Sequence, residues 1–306
     1  MSRRSKRKAM TPPLVELPEN TDPLQTFDRL GNYLETHPLR NLWSPAAGFL
    51  VGSGPSLNTV DLGRLRERGI ASLGINNAAA YAPCKSFVCS DPPEKFHHGV
   101  FFDPGIMKFV PHTKLRKRVR AKLPDGSFRF TRYNVCDCPN VFAFHRRSVF
   151  KPEEFLTTEW ASWGNNSQGA IDTGRQKAIF TWFIGLRLMV YLGVRRIYLL
   201  GVDFAMKPSG KRESGQYAFD QAGVGLGNNS HYRVAADYCI ELKPHLEAAG
   251  IEVYQTNPAS RLTAFPHVGF DAAIEDCRGV VPVEPFDLAG WYEKQTEPAE
   301  PQVGPD

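Results

Sequence analysis

The chain has no long uninterrupted apolar run, few cysteines and little net charge. Its longest apolar stretch, residues 178–192, is broken by Arg187 and falls short of the roughly 20 residues a membrane-crossing helix needs. No transmembrane helix is expected. Residues 1–8 are basic, but Thr11-Pro12-Pro13 stands where a signal peptide would place its apolar stretch, so the expected location is cytoplasmic. The six cysteines are scattered through 306 residues, which points to reduced thiols and not to a disulfide framework. Only Cys136 and Cys138 are close-set, and one intervening residue is not the spacing of structural zinc sites. Even with His97, His98 and His112 upstream, a turn with small buried thiols is expected there. The formal charge of +5 is modest; 42% hydrophobic and 23% charged residues lie near the roughly 45–50% and 25% of ordinary globular domains. Collagen, coiled coil and wholesale disorder are excluded.

What is present is the pattern of one α/β domain. Residues 1–25 are basic and then rich in Pro and Glu, which reads as a flexible arm, and residues 293–306 (EKQTEPAEPQVGPD) read as a disordered tail. Between them, residues 26–292 form one domain large enough to bury a substantial core. No internal repeat is found. The run at 48–51 fits a buried strand and leads at once into Gly52-Ser53-Gly54-Pro55-Ser56-Leu57. A glycine-rich turn leaving a strand lets backbone N–H groups approach a phosphate. It lacks the Lys-Ser/Thr of a Walker loop and the third glycine of a dinucleotide fingerprint, so an ATPase and a nicotinamide enzyme are disfavoured.

Alternation follows: a helix at 62–68, a strand at 71–75 ending in Asn76, and a strand at 86–89 ending in Ser90-Asp91. After an insertion come Thr173-Gly174, a helix at 175–192, and a strand at 196–200 ending in Gly201-Val202-Asp203-Phe204. A helix at 235–248 and a strand at 252–255 close the domain. Polar residues at the carboxyl ends of parallel strands lie where open α/β folds bind ligands, which makes Asn76, Asp91 and Asp203 candidates. The insertion, about 95–165, carries Lys114, Arg116, Lys117, Arg118, Arg120 and Lys122. It reads either as a solvated face or as a lid or acceptor-binding subdomain that meets a polyanion. Tyr217-Ala218-Phe219-Asp220 and Asn228-Asn229-Ser230-His231-Tyr232 fall in loop-like sequence. His231 suits a general base, because an imidazole with a pKa near 6.5 can take a hydroxyl proton near neutral pH. Tyr217 suits a neutral donor to developing phosphate charge.

The succession VGSGPSL, a strand ending in Asn76, LGVRRIYLLGVDF, YAFD, NNSHY and NPASRL resembles the bacterial CMP-sialic-acid sialyltransferases that modify lipooligosaccharide. Its first and third elements are also similar to the hydroxymethylpterin pyrophosphokinase-like family. The resemblance covers roughly residues 49–262. It implies a doubly wound, mostly parallel Rossmann-like sheet, a GT-A-like variant, with an inserted lid or acceptor subdomain. It also implies a glycosyltransferase acting by direct displacement. On that resemblance Gly52, Ser53, Gly54 and Ser56 would wrap the donor's phosphate and ribose. Asn76 would meet nucleotide or sugar, with Asp91 a binding candidate from its place at a strand's carboxyl end; Thr173 and Gly174 would sit near the donor, and Asp203 with Phe204 would line the nucleoside pocket. Tyr217 would assist the leaving phosphate and His231 would be the base. Ala205, Asp91 and Ala170 depart from the pattern, where a Tyr, an Asn and an Arg would be expected, which leaves room for a nucleotide-activated sugar other than sialic acid. The partners implied are a nucleotide-sugar donor as co-substrate and a glycan acceptor, with hydroxymethylated DNA bases as a second acceptor; a homo-oligomer stays open. No cofactor or metal is required for this reading. The alternatives are a pyrophosphokinase holding Mg²⁺ on Asp91 and Asp203 and a nucleotide-binding module without turnover.

Overall fold

The computed structural model describes residues 24–26, 32, 39–43, 46–123, 127–147, 152–157, 162–163, 181–205, 218 and 225–278. Twelve strands occur among them: β1 (Leu24–Gln25), β2 (Ala46–Val51), β3 (Ala71–Ile75), β4 (Ser86–Val88), β5 (Met107–Pro111), β6 (Arg118–Lys122), β7 (Phe128–Asn134), β8 (Val141–Phe144), β9 (Arg146–Arg147), β10 (Ser162–Trp163), β11 (Val194–Leu200) and β12 (Glu252–Gln255). The helices are α1 (Ala78–Tyr81), α2 (His98–Phe102), α3 (Thr181–Tyr191), α4 (Gly225–Ala248) and α5 (Phe270–Arg278). Eight strands build the main sheet in the order β1-β8-β5-β4-β3-β2-β11-β12. Every neighbour pair in it is parallel except the edge pair of β1 with β8. The fold is thus α/β, with a doubly wound, mostly parallel sheet.

The central strands are mainly apolar because both faces of the sheet are covered, as parallel sheets require, with Ser72, Ser86 and Lys108 as buried polar exceptions. Successive side chains point to opposite faces. Leu50, Leu73, Val88, Phe109 and Leu199 join one core under α3 and α4, with Trp182, Ile184, Leu188, Ala235, Cys239 and Leu242. Phe49, Val51, Phe87, Val110 and Leu200 join the other, with Leu57, Phe101 and, from α5, Ala273, Ile274 and Cys277. Helix α3 is buried all round. It lies close on the sheet because position 185 is glycine: a Cβ there would stand 2.7 Å from Leu50 Cδ1.

Several expectations shift. The 62–68 helix is a shorter 3₁₀ turn, Leu62–Arg66, whose start is fixed by Asp61 accepting from Gly63 N–H. The arm expected at 1–25 ends in an edge strand, since Leu24 and Gln25 pair with Phe144 and Ala143. The 95–165 segment supplies two strands of the main sheet, β5 and β8, and the separate antiparallel hairpin β6–β7. Helix α4 begins ten residues before the expected 235. All six cysteines are buried and none forms a disulfide; Cys136 lies in a one-turn 3₁₀ element, Val135–Asp137, with Cys138 as its C-cap.

Candidate functional site

From β2 the strand order runs through β3, β4, β5 and β8 in one direction and to β11 and β12 in the other. Ligands of open α/β sheets bind at the carboxyl ends where the order reverses. Here that point lies between β2 and β11, and it is bounded by residues 52–56 and 201–204.

The two loops are locked together. Gly52 N–H donates to Leu200 O at 2.7 Å, and Gly54 N–H donates to Gly201 O at 2.7 Å. The Asp203 carboxylate, from 147 positions further along the chain, accepts from Ser56 N–H at 2.9 Å and from Ser56 Oγ at 2.5 Å. It also accepts from Asn257 Nδ2 at 2.8 Å. Arg261 N–H donates to Asp203 O at 3.0 Å, and Ser260 Oγ donates to Val202 O at 2.8 Å. Glycine is needed at 52 because a Cβ would stand 2.5 Å from Gly201 O; at 54 a Cβ would meet the Asp203 carboxylate and, at 2.7 Å, Gly201 O.

This changes the role expected for the loop. The N–H groups of Gly52, Gly54 and Ser56 are turned toward β11 and its loop, so they do not form an open phosphate cradle. Among the described residues nothing accepts from Ser53 N–H or its hydroxyl, and these are the donors the loop has left. The Ser53 carbonyl accepts from Ala218 N–H at 3.0 Å, which docks one residue of the YAFD motif on the loop.

The β11 loop is held from its other side by aromatics. Phe204 has φ of +49°, unusual for a bulky side chain and costing on the order of 1–3 kcal/mol, so its surroundings must hold it there. Tyr232 stacks on its ring at 5.1 Å and 17°, and Trp182 meets it edge-on at 5.7 Å. Tyr232 lies in the first turns of α4, so the NNSHY motif expected in a loop is helical instead. His231, its neighbour, is exposed.

Asn76 ends β3 with φ of +55°, a conformation Asn tolerates, and its N–H donates to Val88 O at 2.9 Å. Its Oδ1 is buried without a donor; Trp182 Nε1 lacks an acceptor and Gln255 Oε1 lacks a donor. Gln255 Nε2 donates to Val202 O at 3.2 Å. Three of the seven buried unpaired side-chain atoms among the described residues therefore belong to residues at or packed against the carboxyl ends of β3, β11 and β12. Buried polar groups in native folds nearly always have partners, so this concentration marks the edge as chemically unfinished. Sequence reasoning missed Gln255, Trp182 and the bracketing role of Asn257. Gln255 and Asn257 carry the same signal as Asn76, a polar residue at a strand's carboxyl end.

Asp91 is half-exposed and pairs with Lys95 at 3.2 Å. Two strands separate β4 from β11, so the strands that lead to Asp91 and Asp203 lie three spacings apart, about 14 Å at ~4.8 Å each. Among the described residues no cluster of three or more His, Cys, Asp or Glu could hold a metal ion. Thr173, Gly174 and Tyr217 lie outside the described residues. No helix among the described residues is long and apolar enough to cross a membrane.

No family model matches the chain, and no curated protein matches it. Among solved structures it is similar to the sialyltransferase CstII from Campylobacter jejuni in complex with the substrate analogue cytidine-5'-monophosphate, with 15% identity, 73% of this chain and 85% of that chain covered, and a TM-score of 0.37. A CST-II structure in complex with trisaccharide acceptor and CMP gives 16% identity, 73% and 86% coverage and a TM-score of 0.38. The CMP-3FNeuAc complex of CstII from Campylobacter jejuni gives 14%, 73%, 85% and 0.35.

Proposed function

We propose that the chain transfers a sugar from a nucleotide-activated donor to a hydroxyl group of an acceptor glycan. The observation that carries this reading is the convergence of four distant segments at the switch point: residues 52–56, residues 201–204, Ala218 on Ser53, and the Tyr232 turn of α4 on Phe204. The unpaired Asn76, Trp182 and Gln255 atoms supply the neutral donors and acceptor sites that a base, a ribose or a sugar would satisfy.

In this mechanism His231 takes the acceptor's hydroxyl proton as that oxygen attacks the anomeric carbon. The bond from the anomeric carbon to the donor phosphate oxygen breaks, and its electron pair leaves with the nucleotide. Displacement from the opposite face inverts the configuration. Ser53, through its N–H and hydroxyl, and Tyr217, through its phenol, donate to the departing phosphate, where preorganised donors are worth most. The diphosphate-transfer alternative would use a cation between Asp91 and Asp203, and the distance between their strands speaks against that pairing.

The test is thermal stabilisation by CMP, UDP, GDP, CMP-sialic acid, UDP-glucose and ATP, each with Mg²⁺ and with EDTA. A ligand at a hundred times its dissociation constant adds about 2.7 kcal/mol. Stabilisation by one nucleotide or nucleotide sugar in EDTA is expected, and it names the donor class. Stabilisation by ATP only with Mg²⁺ would overturn the reading. With the donor in hand, His231→Ala should abolish turnover and spare donor binding; undiminished turnover would remove His231 as the base.

A further inference from the structure

The hairpin β6–β7 has an unusual outer face. From 113 to 134 the sequence carries eight basic residues and one acidic. That is a formal +7 against +5 for the whole chain, so the remainder is net negative by two. The positive charge is therefore a local feature of one element.

Register sorts its side chains. Arg120 lies opposite Phe130, Lys122 opposite Phe128, Arg118 opposite Asn134 and Ala121 opposite Arg129. Val119, Ala121 and Thr131 are buried, with Val119 packed in the core beside Leu115 and Val135. Thr131 Oγ1 donates to Val119 O at 2.9 Å, which ties the two strands on that side. The other face carries Arg118, Arg120, Phe128, Phe130 and Arg132. Phe128 and Phe130 are 50% and 54% exposed, two of four large apolar side chains so exposed among the described residues. The Arg120 guanidinium lies 4.2 Å over the Phe128 ring, and that of Arg132 lies 5.0 Å over Tyr133. Among the described residues no carboxylate pairs with Arg118, Arg120, Arg129 or Arg132.

We propose that this face of the β6–β7 hairpin binds single-stranded nucleic acid, with Arg118, Arg120 and Arg132 on phosphates and Phe128 and Phe130 stacking on bases. Uncompensated guanidinium groups attract a polyanion. Two exposed phenyl rings one pleat apart, set among those groups, add the flat apolar contact that unpaired bases supply and that the stacked interior of a duplex withholds. An acidic polysaccharide would use the charges and leave the rings without an aromatic partner. The buried face holds the platform rigid, so little ordering is needed on binding. Strand β6 packs against the turn Pro93–Lys95 and α2, which follow the carboxyl end of β4, so the platform flanks the same sheet edge as the candidate site. The proposal does not depend on sugar transfer.

The test is fluorescence anisotropy of the full chain with a labelled mixed-sequence 20-nucleotide single strand, with a duplex of equal length and heparin as competitors. Affinity for the single strand should fall with salt, with a log–log slope of about −2 for three phosphate contacts at ~0.7 each. Phe128→Ala and Phe130→Ala should each weaken binding at least about fivefold with the slope unchanged. Arg118→Gln, Arg120→Gln and Arg132→Gln should each reduce the slope by about 0.7. Because Arg118, Phe128, Phe130 and Arg132 are exposed, thermal melting of their variants should stay at the parent value and separate lost binding from lost fold. Absence of binding at low salt, tighter binding of the duplex, or a Phe128→Ala/Phe130→Ala double variant that binds like the parent would each overturn the proposal, the last leaving a purely electrostatic surface that heparin fills equally well.

Discussion

Asp203 holds the candidate site in shape, and removing its carboxylate should open it. Asp203→Ala deletes the acceptor of Ser56 N–H, Ser56 Oγ and Asn257 Nδ2. Hydrogen bonds to a charged group are worth about 1.5–3 kcal/mol each; three that share one partly buried carboxylate are not additive, so the expected loss is about 2–4 kcal/mol. For a domain of this size 1 kcal/mol moves the melting temperature by about 2–4 °C, giving a drop of roughly 5–15 °C by calorimetry. The sharper assay is a double-mutant cycle. Ser56→Ala alone should cost about 1.5 kcal/mol, the low end for a bond to a charged group, and in the Asp203→Ala background it should cost almost nothing, because its partner is already gone. Additive losses would refute the bracket, and so would an Asp203→Asn variant that melts with the parent, since an amide offers Ser56 a donor where an acceptor is needed.

Three further outcomes are expected. Gly54→Ala forces a methyl group into the Asp203 carboxylate and Gly201 O and should cost at least about 2 kcal/mol by urea unfolding, within the range of overpacked sites. Tyr232→Ala removes the stack that holds Phe204 at positive φ; it should lower stability by about 1–2 kcal/mol and weaken nucleotide binding in the same titration. Burial holds the Lys108 amine at about 8, below its free-chain 10.5. Between those values the unfolded chain binds the proton and the native chain does not, so this group's contribution is fully present above 10.5 and is lost as pH falls through 8. The stability of the parent relative to Lys108→Met should therefore rise from pH 8 to 10.5 by up to about 1.4 kcal/mol per pH unit, and a flat difference would show that the amine is not buried as described.

Much of the sheet was legible because its strands read as short, mainly apolar runs bounded by turn residues. Residues 71–75 and 252–255 match β3 and β12 end to end, and the polar residues after β2, β3 and β11 mark the carboxyl edge. β5 was not legible, because Lys108 in the middle of MKFVP looks like a surface cation. In the fold it is fully buried, and Nζ donates to the carbonyls of Asp103 and, at 2.9 Å, Pro139. The first turns of α4 were hidden for a different reason. Gly, Asn and Ser are weak helix formers, and the contact of Tyr232 with Phe204 is a tertiary one that no local pattern displays. The role of the glycine-rich loop was misleading for the same cause: the N–H groups of Gly52, Gly54 and Ser56 are satisfied by strand β11, by Gly201 just after it and by Asp203, 147 residues away from Ser56.

That bracket also bears on which part of a nucleotide the loop receives. A carboxylate has about four acceptor positions, and Asp203 has filled three. Its remaining charge disfavours a phosphate directly above it, since like charges repel most where water is displaced, whereas a neutral hydroxyl can donate to the fourth position. If the nucleotide binds at the switch point as proposed, the ribose therefore sits over Asp203 and the phosphate lies toward Ser53. A ribose hydroxyl bonded to a carboxylate is worth about 1.5–3 kcal/mol. Whichever nucleotide binds should accordingly lose roughly ten- to a hundredfold in affinity as its 2′-deoxy or its 3′-deoxy form, measured by calorimetric titration. Asp203→Asn should shrink that penalty. Equal affinities for the ribo and both deoxy forms would mean that the nucleoside lies elsewhere on the edge and that Asp203 serves the loop alone.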